Sequence, residues 1–161
     1  MNNFDELIER VLGHEGGYVN DPRDAGGETK WGISKRAYPN VNIKELTKDE
    51  AKAIYRRDYW DRVQGSLLPE AVAFQVLDAA VNHGVGTAVR WLQSAAGVAP
   101  DGIFGPVSLA AVRSNSAADL VLRFNAERLV FYTKLSTFDR FGKGWIRRVA
   151  ANLIDAAEDN D

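Results

Sequence analysis

Two carboxylates near the N-terminus are placed to do acid–base chemistry. Glu15 falls at the end of the run FDELIERVLGHEGG, and Asp24 lies in the turn-rich segment YVNDPRDAGGETKWGIS that follows, with eight residues between them. Cleaving a glycosidic bond needs one carboxylic acid to protonate the leaving oxygen. It also needs a second carboxylate to position water, attack, or stabilise the oxocarbenium-like transition state. The acid must keep its proton near neutral pH, which calls for a partly desolvated niche. Glu15, between a helix end and a loop, suits the acid. Asp24, on a glycine-rich turn open to water, suits the ionised partner, with Asp21 and Glu28 as rivals. Each residue also has a plainer reading. Glutamates near helix ends are usually solvated surface, and aspartates beside proline and glycine are ordinary turn formers.

The elements that must hold these groups follow from periodicity. Phe4, Leu7, Ile8, Val11 and Leu12 form an amphipathic helical stripe, with Asn2 or Asn3 as its cap and Gly13, Gly16 and Gly17 at its end. Residues 18–35 read as turns and one short hairpin, with 29–33 as a strand. Thr47-Lys48-Asp49-Glu50 is a capping-box pattern leading a helix through Tyr59. Pro69 opens another helix that stops before Gly84 and Gly86. Further helices are expected over 87–96, 107–113, 116–135 and 145–157. The helix over 116–135 is expected to be the central, largely buried one, since its apolar residues cover more than one face. The fold expected is mostly α with one small β-hairpin near the N-terminus, in a single domain of 161 residues.

Composition narrows the partners. A net charge of -2 argues against nucleic acid as a ligand. Residues 1–80 hold 14 acids against 11 bases, and residues 81–161 hold 8 against 9. The chain has no cysteine, hence no disulfide framework and no thiol nucleophile. The N-terminus lacks the basic start and apolar core of a signal peptide, and no run is long enough for membrane insertion. The expectation is a monomer made in the cytoplasm that reaches its target only after release.

Sugar rings stack their C–H faces on aromatic side chains and hydrogen-bond through hydroxyl and acetamido groups. Tyr18 and Trp31 flank the acidic segment and are candidate substrate contacts, or core residues anchoring the hairpin. Trp60, Trp91 and Trp145 read as structural. Asp78 and Asn82 share a helix face at i, i+4 and either bond the following glycine turn, the favoured reading, or contact substrate. His14 and His83 are too far apart, and lack the helical spacing, to make a metal site. No metal and no cofactor are expected. Gly102 to Pro106 lacks the lysine and preceding strand of a phosphate loop.

Longer motifs point to a family. Glu15-Gly16-Gly17-Tyr18, Asn20-Asp21-Pro22, Asp24, Gly26-Gly27, Thr29 and Trp31-Gly32-Ile33 resemble the N-terminal signature of glycoside hydrolase family 108 lysozymes, which include phage endolysins. The similarity continues through Ile54-Tyr55-Arg56, Tyr59-Trp60-Asp61, Asp78 and Asn82-His83-Gly84. Leu92-Gln93, Gly97-Val98, Asp101-Gly102, Gly105-Pro106, Gly144-Trp145 and Arg148-Val149 resemble the peptidoglycan-binding half of that family.

The resemblance implies a lysozyme-like fold, with residues 1–65 as catalytic lobe and 66–161 as helical lobe. It also implies an N-acetylmuramidase that hydrolyses the β-1,4 bond between N-acetylmuramic acid and N-acetylglucosamine, with Glu15 as catalytic acid. Its partner is the glycan strand of peptidoglycan, and family members often rely on a pore-forming holin for export. A looser similarity is to the phage T4 type of lysozyme, in which an aspartate and a threonine follow the glutamate. Asp24 and Thr29 would take those parts, Thr29 holding the attacking water, although the Asp-to-Thr gap is one residue shorter here. Two other functions stay open: a lytic transglycosylase at the same bond, and a non-catalytic peptidoglycan-binding module.

Overall fold

The apolar stripe at the N-terminus folds as expected. In the computed structural model, which describes residues 4–13 and 17–160, Phe4, Leu7, Ile8, Val11 and Leu12 are all buried along helix α1 (Phe4–Leu12). Asn2, Asn3, His14, Glu15 and Gly16 lie outside the described residues, and with them the expected cap of α1 and the expected catalytic acid.

The segment after α1 forms three short antiparallel strands rather than one hairpin: β1 (Val19–Asn20), β2 (Glu28–Lys30) and β3 (Ile33–Ser34), in the order β1-β2-β3. Residues 29–33 are therefore not one strand. Trp31 and Gly32, with φ of 53° and 75°, make the two-residue turn that joins Lys30 to Ile33. Positive φ at both central positions matches the right-handed twist of the flanking strands. Glycine accepts that conformation freely, whereas a tryptophan there is strained by roughly 1–3 kcal/mol. The Tyr55 hydroxyl holds the Trp31 carbonyl at 2.6 Å and tethers the turn.

Helix α2 (Lys48–Tyr55) begins at a complete capping box. Thr47 Oγ1 accepts from the Glu50 amide, and Glu50 Oε2 accepts from the Thr47 amide. Its last turn runs into a five-residue π-helix, Arg56–Trp60. Ala51, Ile54 and Tyr55 are buried, and Glu9 on α1 pairs with Lys48 and Lys52 on α2. The chain divides after Asp58 into two compact units.

The second unit is built around α3 (Glu70–His83), with Pro69 as its N-cap and Gly84 as its C-cap. All ten residues from Ala71 to Ala80 are buried, as an apolar composition on every side of a helix requires. Against α3 pack α4 (Val85–Ala96), α6 (Ala117–Thr133) and α7 (Phe138–Asp159), while α5 (Pro106–Ser114) packs on α4. The central helix is thus α3 and not α6. Helix α6 buries one stripe, Leu120, Val121, Phe124, Asn125, Arg128 and Tyr132, and leaves Leu122 and Val130 exposed.

Helix α7 starts seven residues before the expected position, because Gly142 and Gly144 lie inside it instead of ahead of it. The Phe138 ring covers Gly142 so closely that a Cβ there would stand 2.8 Å from the ring. Packing across this turn outweighs the low helix propensity of glycine, a cost of about 1 kcal/mol per residue.

Candidate active site

The acidic segment consists of two successive β-turns. The Asp24 amide bonds the Asp21 carbonyl, and the Gly27 amide bonds the Asp24 carbonyl. The second turn leads directly into β2, so Asp24 and Thr29 are carried on one short, hydrogen-bonded stretch. Thr29 pairs with Val19 on one side and Ser34 on the other, which places it on the middle strand of the sheet.

The three carboxylates of this segment have different surroundings. Asp21 is clamped by Arg23, whose amide, Nε and Nη2 all donate to it, and these bonds hold its carboxyl below the ordinary range. Glu28 accepts the Tyr18 hydroxyl at 2.7 Å, and that carboxylate raises the Tyr18 phenol above its usual value. Asp24 is exposed and accepts only the Gly26 amide, through Oδ1 at 2.9 Å. An aspartate bonding the amide two residues on is an Asx-turn, which fixes the side chain while leaving its other oxygen open. Of the three, Asp24 alone has no side-chain partner among the described residues.

Tyr18 is exposed and Trp31 half-buried. Lys48 Nζ lies 5.7 Å from the Trp31 ring centroid, and the indole N–H is buried without a hydrogen-bond partner among the described residues.

In the second unit, Asp78 and His83 belong to a polar network inside the helix bundle, and exposed Asn82 lies at its edge. Asp78 is wholly buried; it accepts from Arg128 Nη1 at 2.8 Å, from Arg148 Nη2 at 2.6 Å and from Asn152 Nδ2 at 2.8 Å. Burial alone pushes its carboxyl up, but hydrogen bonds from Arg148 and the charges of Arg128 and Arg148 outweigh this, and the net shift is downward. Sequence reasoning placed Asp78 on a helix face with Asn82 but missed its partners. The available signal was a charged residue inside the apolar run FQVLDAAV, which demands a counter-charge somewhere in the fold.

Asn82 corrects an expectation, since it does not bond the glycine turn that follows. Its amide folds back to the Asp78 carbonyl at 2.7 Å, a bond within the same helix. His83 is half-buried among Trp91, Phe131 and Tyr132, with Nε2 2.9 Å from the Tyr132 hydroxyl. That hydroxyl also accepts from Arg128 Nε, and burial holds the imidazole pKa down at about 4, so the ring is neutral near pH 7. No group of three potential metal-binding side chains occurs among the described residues.

The loop after α4 is closed by one side chain. Buried Gln93 donates to Asp101, to the Ile103 carbonyl and to Ser108, and accepts from the Gly102 amide. Both polar atoms of the Gln93 amide are thus engaged by the loop and by Ser108 in the first turn of α5. Trp60 and Trp91 are buried, as expected, and Trp145 stacks on Tyr132 with ring centroids 4.9 Å apart.

The glycosyl hydrolase 108 model matches residues 8–84, and the model of a predicted peptidoglycan domain matches residues 87–150. No curated protein gives a match. Among solved structures, that of Brucella abortus SagA is 38% identical over 98% of this chain and 95% of that chain, with a TM-score of 0.87. With the mostly helical, lysozyme-like fold and the acidic segment both inside these matches, the chain belongs to the glycosyl hydrolase 108 family and is a glycoside hydrolase of peptidoglycan with a peptidoglycan-binding C-terminal half.

Proposed function

We propose that the chain is an N-acetylmuramidase that hydrolyses the β-1,4 bond between N-acetylmuramic acid and N-acetylglucosamine, acting on the wall after release from the cytoplasm as an endolysin does. Glu15 is the general acid and protonates the glycosidic oxygen as the bond to the anomeric carbon breaks. Asp24 is the base that takes a proton from the incoming water, and the Thr29 hydroxyl holds that water. Tyr18, Trp31 and Asn82 contact the sugars. Inversion is the stereochemical outcome proposed, which requires the two carboxyl groups to stand about 6.5–9.5 Å apart with water between them.

The observation that supports Asp24 over its rivals is its set of partners. A base must keep an uncommitted carboxylate oxygen facing solvent. Asp21 is neutralised by Arg23 and Glu28 is engaged by Tyr18, whereas Asp24 is fixed only through one oxygen by a backbone amide.

The test is a digest of purified peptidoglycan with wild type, Glu15→Gln and Asp24→Asn, read by mass spectrometry and by NMR of the new anomeric centre. Glu15→Gln abolishes product release, because an amide cannot donate the proton. Asp24→Asn lowers it by about a hundredfold or more, the usual worth of a positioned base. Wild type yields ordinary reducing ends of inverted configuration at muramic acid. Anhydromuramic ends would instead identify a lytic transglycosylase, and full activity in Glu15→Gln would remove that residue from the chemistry.

A further inference from the structure

The second unit carries a charge concentration that the hydrolytic site does not use. Between residues 134 and 148 there are five bases and one acid, in a chain whose net charge is -2. Arg148 turns inward to Asp78, which leaves Lys134, Arg140, Lys143 and Arg147 against Asp139. Four of these five residues lie on the first turns of α7.

The same face of α7 holds a concavity of about 420 Å³, lined by Phe138, Asp139, Gly142, Lys143, Ile146 and Arg147. At 100° per residue these six positions share one half of the helix. Gly142 supplies no side chain, so the surface is notched between the half-buried Phe138 ring and Ile146, which is 41% exposed. Lys143 and Arg147, one helical turn apart, form the rim, and neither makes an ion pair among the described residues. Exposed bases bordering an apolar notch fit a ligand with carboxylates next to small apolar groups.

We propose that this notch binds the acidic stem peptides of peptidoglycan, whose free carboxylates and alanyl methyl groups have that chemistry. The proposal rests on peptidoglycan being the polymer handled by the chain, and it assigns the peptide portion to α7, separate from the sugars handled by the acidic segment. An anionic membrane surface is the less favoured occupant. Phe141, the other exposed apolar side chain of these turns, lies about 140° around the helix from Ile146. The two therefore form no continuous apolar stripe of the sort an interfacial helix inserts.

The experiment is co-sedimentation at low temperature with intact sacculi, alone or in the presence of the free stem peptides that an amidase releases as soluble competitors, and with vesicles containing an anionic phospholipid. It compares wild type with Lys143→Gln/Arg147→Gln, and with Lys143→Arg/Arg147→Lys as the conservative control. Wild type pellets with intact sacculi in a salt-sensitive manner, and added stem peptides displace it. The glutamine pair weakens binding to intact sacculi about tenfold, the combined worth of two exposed charge contacts, and the conservative pair retains it. Thermal melting of both exposed double variants matches wild type. Equal binding of the glutamine pair, no displacement by stem peptides, or binding to vesicles in place of sacculi overturns the proposal. Sedimentation does not depend on bond cleavage, so a chain that pellets in this pattern but yields no muramic reducing ends would lose the muramidase reading alone.

Discussion

Asp78 and Arg128 meet with both side chains wholly shielded from solvent, Arg128 Nη1 donating to Asp78 Oδ2 at 2.8 Å. Arg148 reaches the other oxygen of the same carboxylate, so one anion ties α3 to both α6 and α7. Such an arrangement gives little net stability over an apolar replacement, because desolvating the charges offsets their attraction. Removing one partner is a different matter, since the remaining charge stays buried.

Asp78→Asn is therefore expected to destabilise the second unit by about 3–5 kcal/mol, measured by urea unfolding. The carboxyl is held below its ordinary value of 3.8, so the wild-type contribution is complete above that pH and is lost as pH falls through the folded value. Acid unfolding of wild type below that point, absent as a separate step in the variant, is the accompanying signature.

His83 imposes a pH dependence at milder acidity. Burial first, then the charge of Arg128, lowers its pKa from 6.5 to about 4. Between those values the unfolded chain binds a proton that the folded chain does not, so stability falls as pH drops from 6.5 towards 4. His83→Gln is expected to flatten that part of the profile. Unfolding midpoints at several pH values across the window check it, and parallel profiles for the two proteins would refute it.

Gln93→Ala is expected to loosen the loop between α4 and α5. The substitution strips hydrogen bonds from the Gly102 amide, the Ile103 carbonyl, Asp101 and Ser108 at once. A loss of about 2 kcal/mol or more follows from leaving such groups unpaired. Hydrogen exchange at Gly102 should rise well before exchange in the interior of α3.

Thr47→Ala removes the side-chain acceptor of the capping box on α2. The expected cost is about 1 kcal/mol, with Thr47→Ser close to wild type. Thermal melting of the two variants side by side distinguishes the loss of the hydroxyl from the loss of the methyl group.

Thr29 offers a test of the proposed water site. Thr29→Val keeps the shape and the strand preference of the side chain while deleting its hydroxyl. It is expected to lower kcat about tenfold or more with KM little changed, whereas Thr29→Ser retains most activity. Turnover on a soluble glycan fragment gives both constants, and an active valine variant would leave the water to other groups.

How much of this was legible in the chain varies with the range of the interaction. The stripe of α1, the capping box before α2 and the start of α3 after Pro69 were readable, because each is written in residues within a turn or two of one another. The types and spacing of Glu15 and Asp24 were readable in the same way, and so was the family to which they belong. Trp31 as a left-handed turn residue was not, since the hydroxyl that tethers its carbonyl comes from Tyr55, twenty-four residues on. Nor was the start of α7, where Gly142 signals a break locally but is covered by Phe138.

The sequence alone determined which residues could carry chemistry and which local elements would present them. Local turn geometry settles Asp21 on Arg23 and Asp24 on the Gly26 amide, each two residues on. Tertiary structure decided the rest, engaging Glu28 by Tyr18 and Asp78 by arginines fifty and seventy residues away. The physical reason is that a charge is buried, paired or left exposed by whatever the fold brings within hydrogen-bond reach, and for Asp78 those groups come from distant parts of the chain.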